Sequence, residues 1–243
     1  MAEEVKPRLE LAQIVDETLH PRPASPGFAT QPREHARPVT LPPWFIDRCR
    51  QAFLAVSFEG SRRVLGITSA LKGEGKTTVA LGIATAVAAD TGEPTLLLEC
   101  DLETSSDDFF GLSQGTGLSE WIEGDESLRI LRMPPLVNAF LIPAGGSRPD
   151  AARIFYRLSQ STLIEELQSE FPNIIVDLPP LLSIAYASLA AKVTERILLV
   201  ARYGTTPIED IEKAVFLLGH ERISGIVLTG FESRSPGWLR RLL

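Results

Sequence analysis

Lysine, threonine and glycine crowd into one short stretch, "TSALKGEGKTT" (residues 68–78), directly behind the apolar run "RVLGI". Gly73 and Gly75 can take left-handed backbone angles, which turn successive N–H groups toward a single anion. Lys76 adds a point charge suited to the β- and γ-phosphates of a nucleotide, and Thr77 a hydroxyl suited to Mg²⁺. A helix opening at Lys76 would aim its positive dipole end at the same place. From Ala70 the stretch reads "ALKGEGKT", a phosphate-binding loop with alanine in the position of the usual first glycine. Lys72, Gly73, Glu74, Gly75, Lys76, Thr77 and Thr78 are therefore the expected nucleotide-binding residues.

A phosphate cradle alone does no chemistry, so the acids matter next. The segment "LLLECDLETSS" places Glu99, Asp101 and Glu103 at alternate positions, and a strand's period of two would send them to one face. A second apolar run, "NIIVDLPP", ends on Asp177, where a carboxylate could hold a Mg²⁺-bound water. Two acidic strand ends facing one phosphate loop are the minimum for metal-assisted phosphoryl chemistry. Lys76, Asp101 and Asp177 are the expected catalytic residues, with Asp101 orienting or deprotonating the attacking group. Thr77, Asp101 and Asp177 are the expected metal ligands. The carboxylates of Glu74 and Glu103 are expected to be solvated.

These groups need strands that end together and helices that start there. Runs reading as buried strands are "RVLGIT", "PTLLLEC", "AFLIPAG", "NIIVDLP", "RILLVAR" and "ISGIVLTGF". Helical stretches lie between them: "KTTVALGIATAVAAD", "GLSEWIEG", "AARIFYRLSQSTLIEELQSE", "SIAYASLAAKV" and "PIEDIEKAVFLLGH". Continuously apolar strands alternating with helices predict an α/β fold, a mostly parallel sheet covered on both faces. Ligands of such sheets bind beyond the strands' carboxyl ends, where the loop and both acids fall. Residues 1–43 hold eight of the 18 prolines and read as a disordered arm with one short helix at "RLELAQIVDETL". A helix at "WFIDRCRQAFLAVSF" leads into a nucleotide-binding domain spanning 44–235, followed by a short tail, 236–243.

Composition narrows the partners. A net charge of −7 argues against a general nucleic-acid binder. No apolar run reaches the roughly 18 residues a spanning helix needs, and the acidic start is unlike a signal peptide, so a cytoplasmic location is expected. Cys49 and Cys100 suggest neither a disulfide framework nor a metal site.

The order "TSALKGEGKTT", "LLLECDL", "GLSEWIEGD", "FLIPAGG", "IIVDLPPLL", "ILLVARYGTT", "GIVLTG" resembles the bacterial tyrosine kinases of capsule and exopolysaccharide assembly. These belong to the wider P-loop class of ParA- and MinD-like ATPases. The resemblance implies a P-loop NTPase fold, ATP and Mg²⁺ bound at Lys76 and Thr77, and Asp101 and Asp177 as the second and third acidic motifs. It also implies a homo-oligomer and a membrane chain-length or export protein as partner. The sequence departs from that pattern in several places. The family's Asp-x-Asp-x-Arg is here Glu99, Cys100, Asp101, Leu102, Glu103. Its Glu-x-x-Arg-x-x-Arg contact helix corresponds to Asp47, Arg50 and Phe53, and no tyrosine follows Tyr203. Tyr156 and Tyr186 are expected in core packing, so a kinase-like regulator is expected rather than a kinase labelling its own tail.

The alternative is a MinD- or ParA-like positioning ATPase, a nucleotide-dependent membrane or partner switch. Its signature lysine would fall at Leu71, while Lys72 is one residue late. The tail "SPGWLRRLL" puts Trp238, Leu239, Leu242 and Leu243 opposite Arg240 and Arg241 on a helix, a miniature membrane anchor that would place the chain at the inner face of the membrane. The competing reading of the tail is packing on the chain's own sheet or on a protein partner.

Overall fold

The structure is a computed structural model, and it describes residues 39–58, 63–103, 117–123, 128, 130–146 and 150–230. The arm helix at 8–19 and the tail at 236–243 lie outside the described residues. Seven strands form one sheet: β1 (Arg63–Ser69), β2 (Thr95–Glu99), β3 (Leu131–Arg132), β4 (Ala139–Ile142), β5 (Asn173–Asp177), β6 (Arg196–Arg202) and β7 (Ile223–Thr229). Their spatial order is β3-β4-β2-β5-β1-β6-β7. All pairings are parallel except β3 with β4.

The continuous apolar runs arise because alternate residues face two different cores. Val64, Leu96, Leu98, Ile174, Val176 and Leu199 point to one side. Leu65, Ile67, Leu97, Ile175, Leu198 and Val200 point to the other. The first side is covered by α3 (Leu118–Glu123), α4 (Ala151–Gln160), α5 (Leu163–Glu170), α6 (Ala187–Ala190) and α7 (Ile208–Leu218). The second is covered by α1 (Pro43–Leu54) and α2 (Lys76–Thr91).

Helix α2 opens the phosphate loop's far side, and almost every residue from Val79 to Ala88 is buried. A helix apolar all round needs cover on all sides. Here the sheet supplies one side and α1 another, through Gly82: a Cβ there would stand 2.5 Å from Cys49 Sγ and 2.8 Å from a ring carbon of Phe45. The same burial pushes the Cys49 thiol up to about 12, so it acts as a packing group. Arg50 of α1 pairs with Asp90 of α2 at 2.9 Å and with Asp47, so both matching positions of the contact-helix pattern engage within the chain.

Three local expectations need correction. The stretch 151–170 is two helices, because Ser161 adopts extended angles and its hydroxyl donates to the Leu158 carbonyl at 2.8 Å. The stretch 183–193 is helical only over Ala187–Ala190, followed by a 3-10 turn at Ala191–Val193. Tyr156 is 61% exposed rather than packed in the core, whereas Tyr186 is buried and stacks on Phe155 with ring centroids 5.0 Å apart.

The contact at Gly82 makes a signed prediction. Helix propensity alone would make Gly82→Ala stabilising by about 1 kcal/mol. Overpacking against Cys49 and Phe45 should reverse that sign and cost about 1–3 kcal/mol, read from urea unfolding.

Candidate functional site

The sheet order puts the chemistry on three neighbouring strands. β1 delivers the loop, β5 lies beside it, and β2 lies beside β5. The register pairs Ile67 with Asp177 and Glu99 with Asp177, so these strands end at one level. Their exits are laced together: Leu178 N–H donates to Ile67 O at 2.9 Å, and Cys100 N–H to Asp177 O at 2.8 Å. The Thr68 hydroxyl donates to Pro179 O at 2.8 Å.

The loop itself turns on glycine. Gly73 has φ +80° and Gly75 φ +91°, and Gly75 immediately precedes α2. Both lie where an L side chain would be strained. Ala70, in the first-glycine position, is fully buried and adopts no positive φ, which explains why alanine is accommodated there.

Lys76 is the junction. Its ammonium donates to Asp101 Oδ2 at 2.9 Å and to Asp177 Oδ1 at 3.4 Å, and the Thr77 hydroxyl oxygen lies 3.4 Å away. All three charged residues are buried, Lys76 8%, Asp101 4% and Asp177 3% exposed. Burial pulls the Lys76 ammonium down, but Asp177 and Asp101 together outweigh it and hold it above the ordinary lysine value. Burial pushes Asp177 up; Lys76 and a hydrogen bond from Thr77 offset only part of that. The fully buried Cys100 thiol is driven well up by burial and by the acids around it, so it is no nucleophile.

The expected residues Lys76, Thr77, Asp101 and Asp177 thus meet at one point. Lys72 lies higher on the loop and pairs with Glu103 at 3.0 Å, both side chains being about half exposed. Glu103 is therefore not simply solvated. Glu99 accepts from Ala144 N–H at 3.3 Å, tying β2 to the end of β4. Glu74, expected to be solvated, is only 4% exposed and accepts from Leu71 N–H at 2.8 Å. Glu120 was not singled out in the sequence. Its carboxylate accepts from Gly117 N–H at 2.8 Å and Gly146 N–H at 3.1 Å, clamping α3 to the loop after β4.

Among the described residues no cluster of three His, Cys, Asp or Glu side chains is arranged as a protein-only metal cage. The oxygen set at the junction, the Thr77 hydroxyl bonded to the Asp177 carboxylate with Asp101 across Lys76, suits a hard cation that also draws on phosphate oxygens.

The electrostatics predict how the junction fails. Asp177 is raised above its ordinary value, so its charge costs stability at neutral pH, and that cost is relieved as pH falls through the raised value. Lys76→Met removes the offsetting cation and should cost about 3–5 kcal/mol at pH 7. The deficit, followed by denaturant unfolding, should shrink steadily on acidification. A deficit independent of pH would contradict the assignment.

No protein-family model matches the chain. The tyrosine-protein kinase CpsD of Streptococcus pneumoniae is 30% identical over 178 residues, 70% of this chain and 78% of CpsD. The succinoglycan biosynthesis transport protein ExoP of Rhizobium meliloti is 30% identical over 209 residues, 79% of this chain but 26% of ExoP. The chain spans about a quarter of the length of ExoP and of the other long relatives. The kinase domain of the Escherichia coli tyrosine kinase ETK superposes with a TM-score of 0.70 at 25% identity, over 79% of this chain and 77% of that one. The septum site-determining protein MinD of Pyrococcus horikoshii, solved with Mg-ADP, shares the fold at a TM-score of 0.58 and 22% identity, over 74% and 76% of the two chains. A phosphate loop facing two acidic strand ends, on a P-loop NTPase sheet shared with these proteins, places the chain in the bacterial tyrosine kinase family.

Proposed function

We propose that the chain binds Mg-ATP at the mouth of β1, β5 and β2 and acts as a kinase-like regulator of polysaccharide assembly, with a membrane export or chain-length protein as partner. The observation that carries this reading is Lys76 held between Asp101 and Asp177 at the start of α2. Burying an ammonium and two carboxylates costs desolvation that their mutual attraction need not repay, so stability alone is a weak reason for such a triad. A lysine so placed is oriented before any phosphate arrives, which lowers the cost of ordering it on binding.

Each residue has a distinct task. The backbone N–H groups from Gly73 to Thr78 would face the phosphates, and Lys76 would neutralise their outer oxygens. Thr77 and Asp177 would hold Mg²⁺, with Asp101 close by. When bound, Mg²⁺ supplies charge neutralisation across the β- and γ-phosphates. Asp101, two residues past the end of β2 and 2.9 Å from the Lys76 ammonium, would orient the attacking group. Lys72 would add a second, outer cation once drawn from Glu103.

Support for the polysaccharide role comes from the relatives, whose names cite tyrosine kinase activity and succinoglycan transport. Among the described residues no helix is long and apolar enough to cross a membrane. The MinD-like reading keeps the same nucleotide site and differs only in output. The observation favouring it is the shared fold, and the one against it is Leu71 where the signature lysine would stand.

Binding and chemistry separate in one experiment with labelled ATP, following free phosphate and protein-bound label with and without membrane partners. Asp101→Asn should keep nucleotide and lose turnover by about 10²-fold or more. Thr77→Ala should retain binding but require more Mg²⁺. Wild-type turnover in Asp101→Asn would remove Asp101 from the mechanism.

A further inference from the structure

A carboxylate inside an anion-binding loop is an electrostatic contradiction, since it repels the phosphates that the loop must receive. Glu74 is such an acid, and it is buried in the loop. The structure shows where its oxygens go. Oε2 accepts from the N–H of Leu71, at the loop's own beginning, at 2.8 Å. Oε1 accepts from the hydroxyl of Thr206, in the turn between β6 and α7. Thr206 Oγ1 in turn accepts from Arg202 N–H at 2.8 Å. The backbone carbonyl of Glu74 accepts from the Thr229 hydroxyl, at the end of β7, at 2.6 Å. One residue further back, Gly73 O accepts from the Arg202 guanidinium at 3.4 Å.

Apart from the bond from Leu71, which stays within the loop, these bonds run toward β6 and β7. Lys76 ties the loop toward β5 and β2, and Glu74 ties it toward β6 and β7. With Gly73 and Gly75 on either side, the loop has little stiffness of its own. We infer that Glu74 is a positioning residue: its carboxylate straps the phosphate loop to the β6–α7 turn through Thr206, so that the loop's N–H groups stay aimed at one anion. The inference rests on the nucleotide reading above and assigns the Glu74 carboxylate no contact with the nucleotide.

The chemistry of the strap gives it a specific signature. A glutamine can accept from Leu71 N–H with its carbonyl and donate its amide to the Thr206 oxygen, while removing a charge that repels phosphate. Alanine can do neither. Mg-ATP affinity is measured by titration calorimetry on the full chain, with melting in the absence of nucleotide as a control. Glu74→Ala should weaken binding about tenfold or more, the scale expected for losing hydrogen bonds to a charged group. Glu74→Gln should recover most of that loss. Thr206→Val should weaken binding by severalfold in the wild-type background and add little to Glu74→Ala, because both remove the same strap. Should Glu74→Ala fail to fold, Glu74→Gln and Thr206→Val still decide.

Wild-type affinity in Glu74→Ala or in Thr206→Val would overturn the inference. So would a Glu74→Gln variant as weak as the alanine one, or additive losses in the double variant. Binding that depends on Lys76 but ignores Glu74 would sink the strap and leave the nucleotide reading intact. No saturable binding in the wild type would sink both.

Discussion

Three buried charges govern this molecule: Asp177 at the end of β5, Asp101 two residues past the end of β2, and Lys76 at the start of the helix that follows β1. An ammonium as enclosed as Lys76 is tolerable only with carboxylates in contact, and carboxylates as enclosed as Asp101 and Asp177 are tolerable only with a cation. That mutual dependence demands that β2, β5 and β1 be adjacent, parallel and in register, since antiparallel neighbours would send one of the acids to the other end of the sheet. The right-handed crossovers of an α/β fold deliver this arrangement, with α2 and α1 on one face and α3 to α7 on the other. Glu74 and Glu120 then work at the periphery, fixing the loop on one side and the end of β4 on the other.

Much of the fold was legible because the central strands are buried on both faces. Such strands have no polar alternation to blur them, and "RVLGIT", "PTLLLEC", "NIIVDLP" and "RILLVAR" each read as one uninterrupted run. What stayed illegible depended on partners distant in sequence. β3 is only Leu131 and Arg132, and it is a strand solely because Leu141 and Phe140 of β4 lie opposite. The break at Ser161 is a local competition, in which a hydroxyl satisfies a helix carbonyl and ends the helix inside an otherwise suitable pattern. Tyr156 reads as core but is exposed, because an aromatic in an apolar helix says nothing about which side of the helix faces the sheet.

The site divides the same way. Lys76 and Thr77 were legible because the phosphate-loop pattern puts those residue types at a helix start, and Asp101 and Asp177 because acids close apolar strand runs. The tasks of Glu74, Glu103 and Glu120 were not, because a carboxylate in a loop looks solvated until its donors are placed. Glu103 stands where the family has arginine, and Lys72 where its kinases commonly have proline; the structure pairs the two at 3.0 Å. The substitutions thus form one contact across the mouth of the site, which neither position suggests alone.

The central claim is that the charged junction at Lys76 is a nucleotide site. Titration calorimetry of the purified chain with ATP, in the presence and absence of Mg²⁺, tests it most directly. Saturable heat should appear, strengthen with Mg²⁺ and disappear in a Lys76→Ala variant shown by circular dichroism to be folded. The same affinity in that variant, or no saturable heat in the wild type, would contradict the claim.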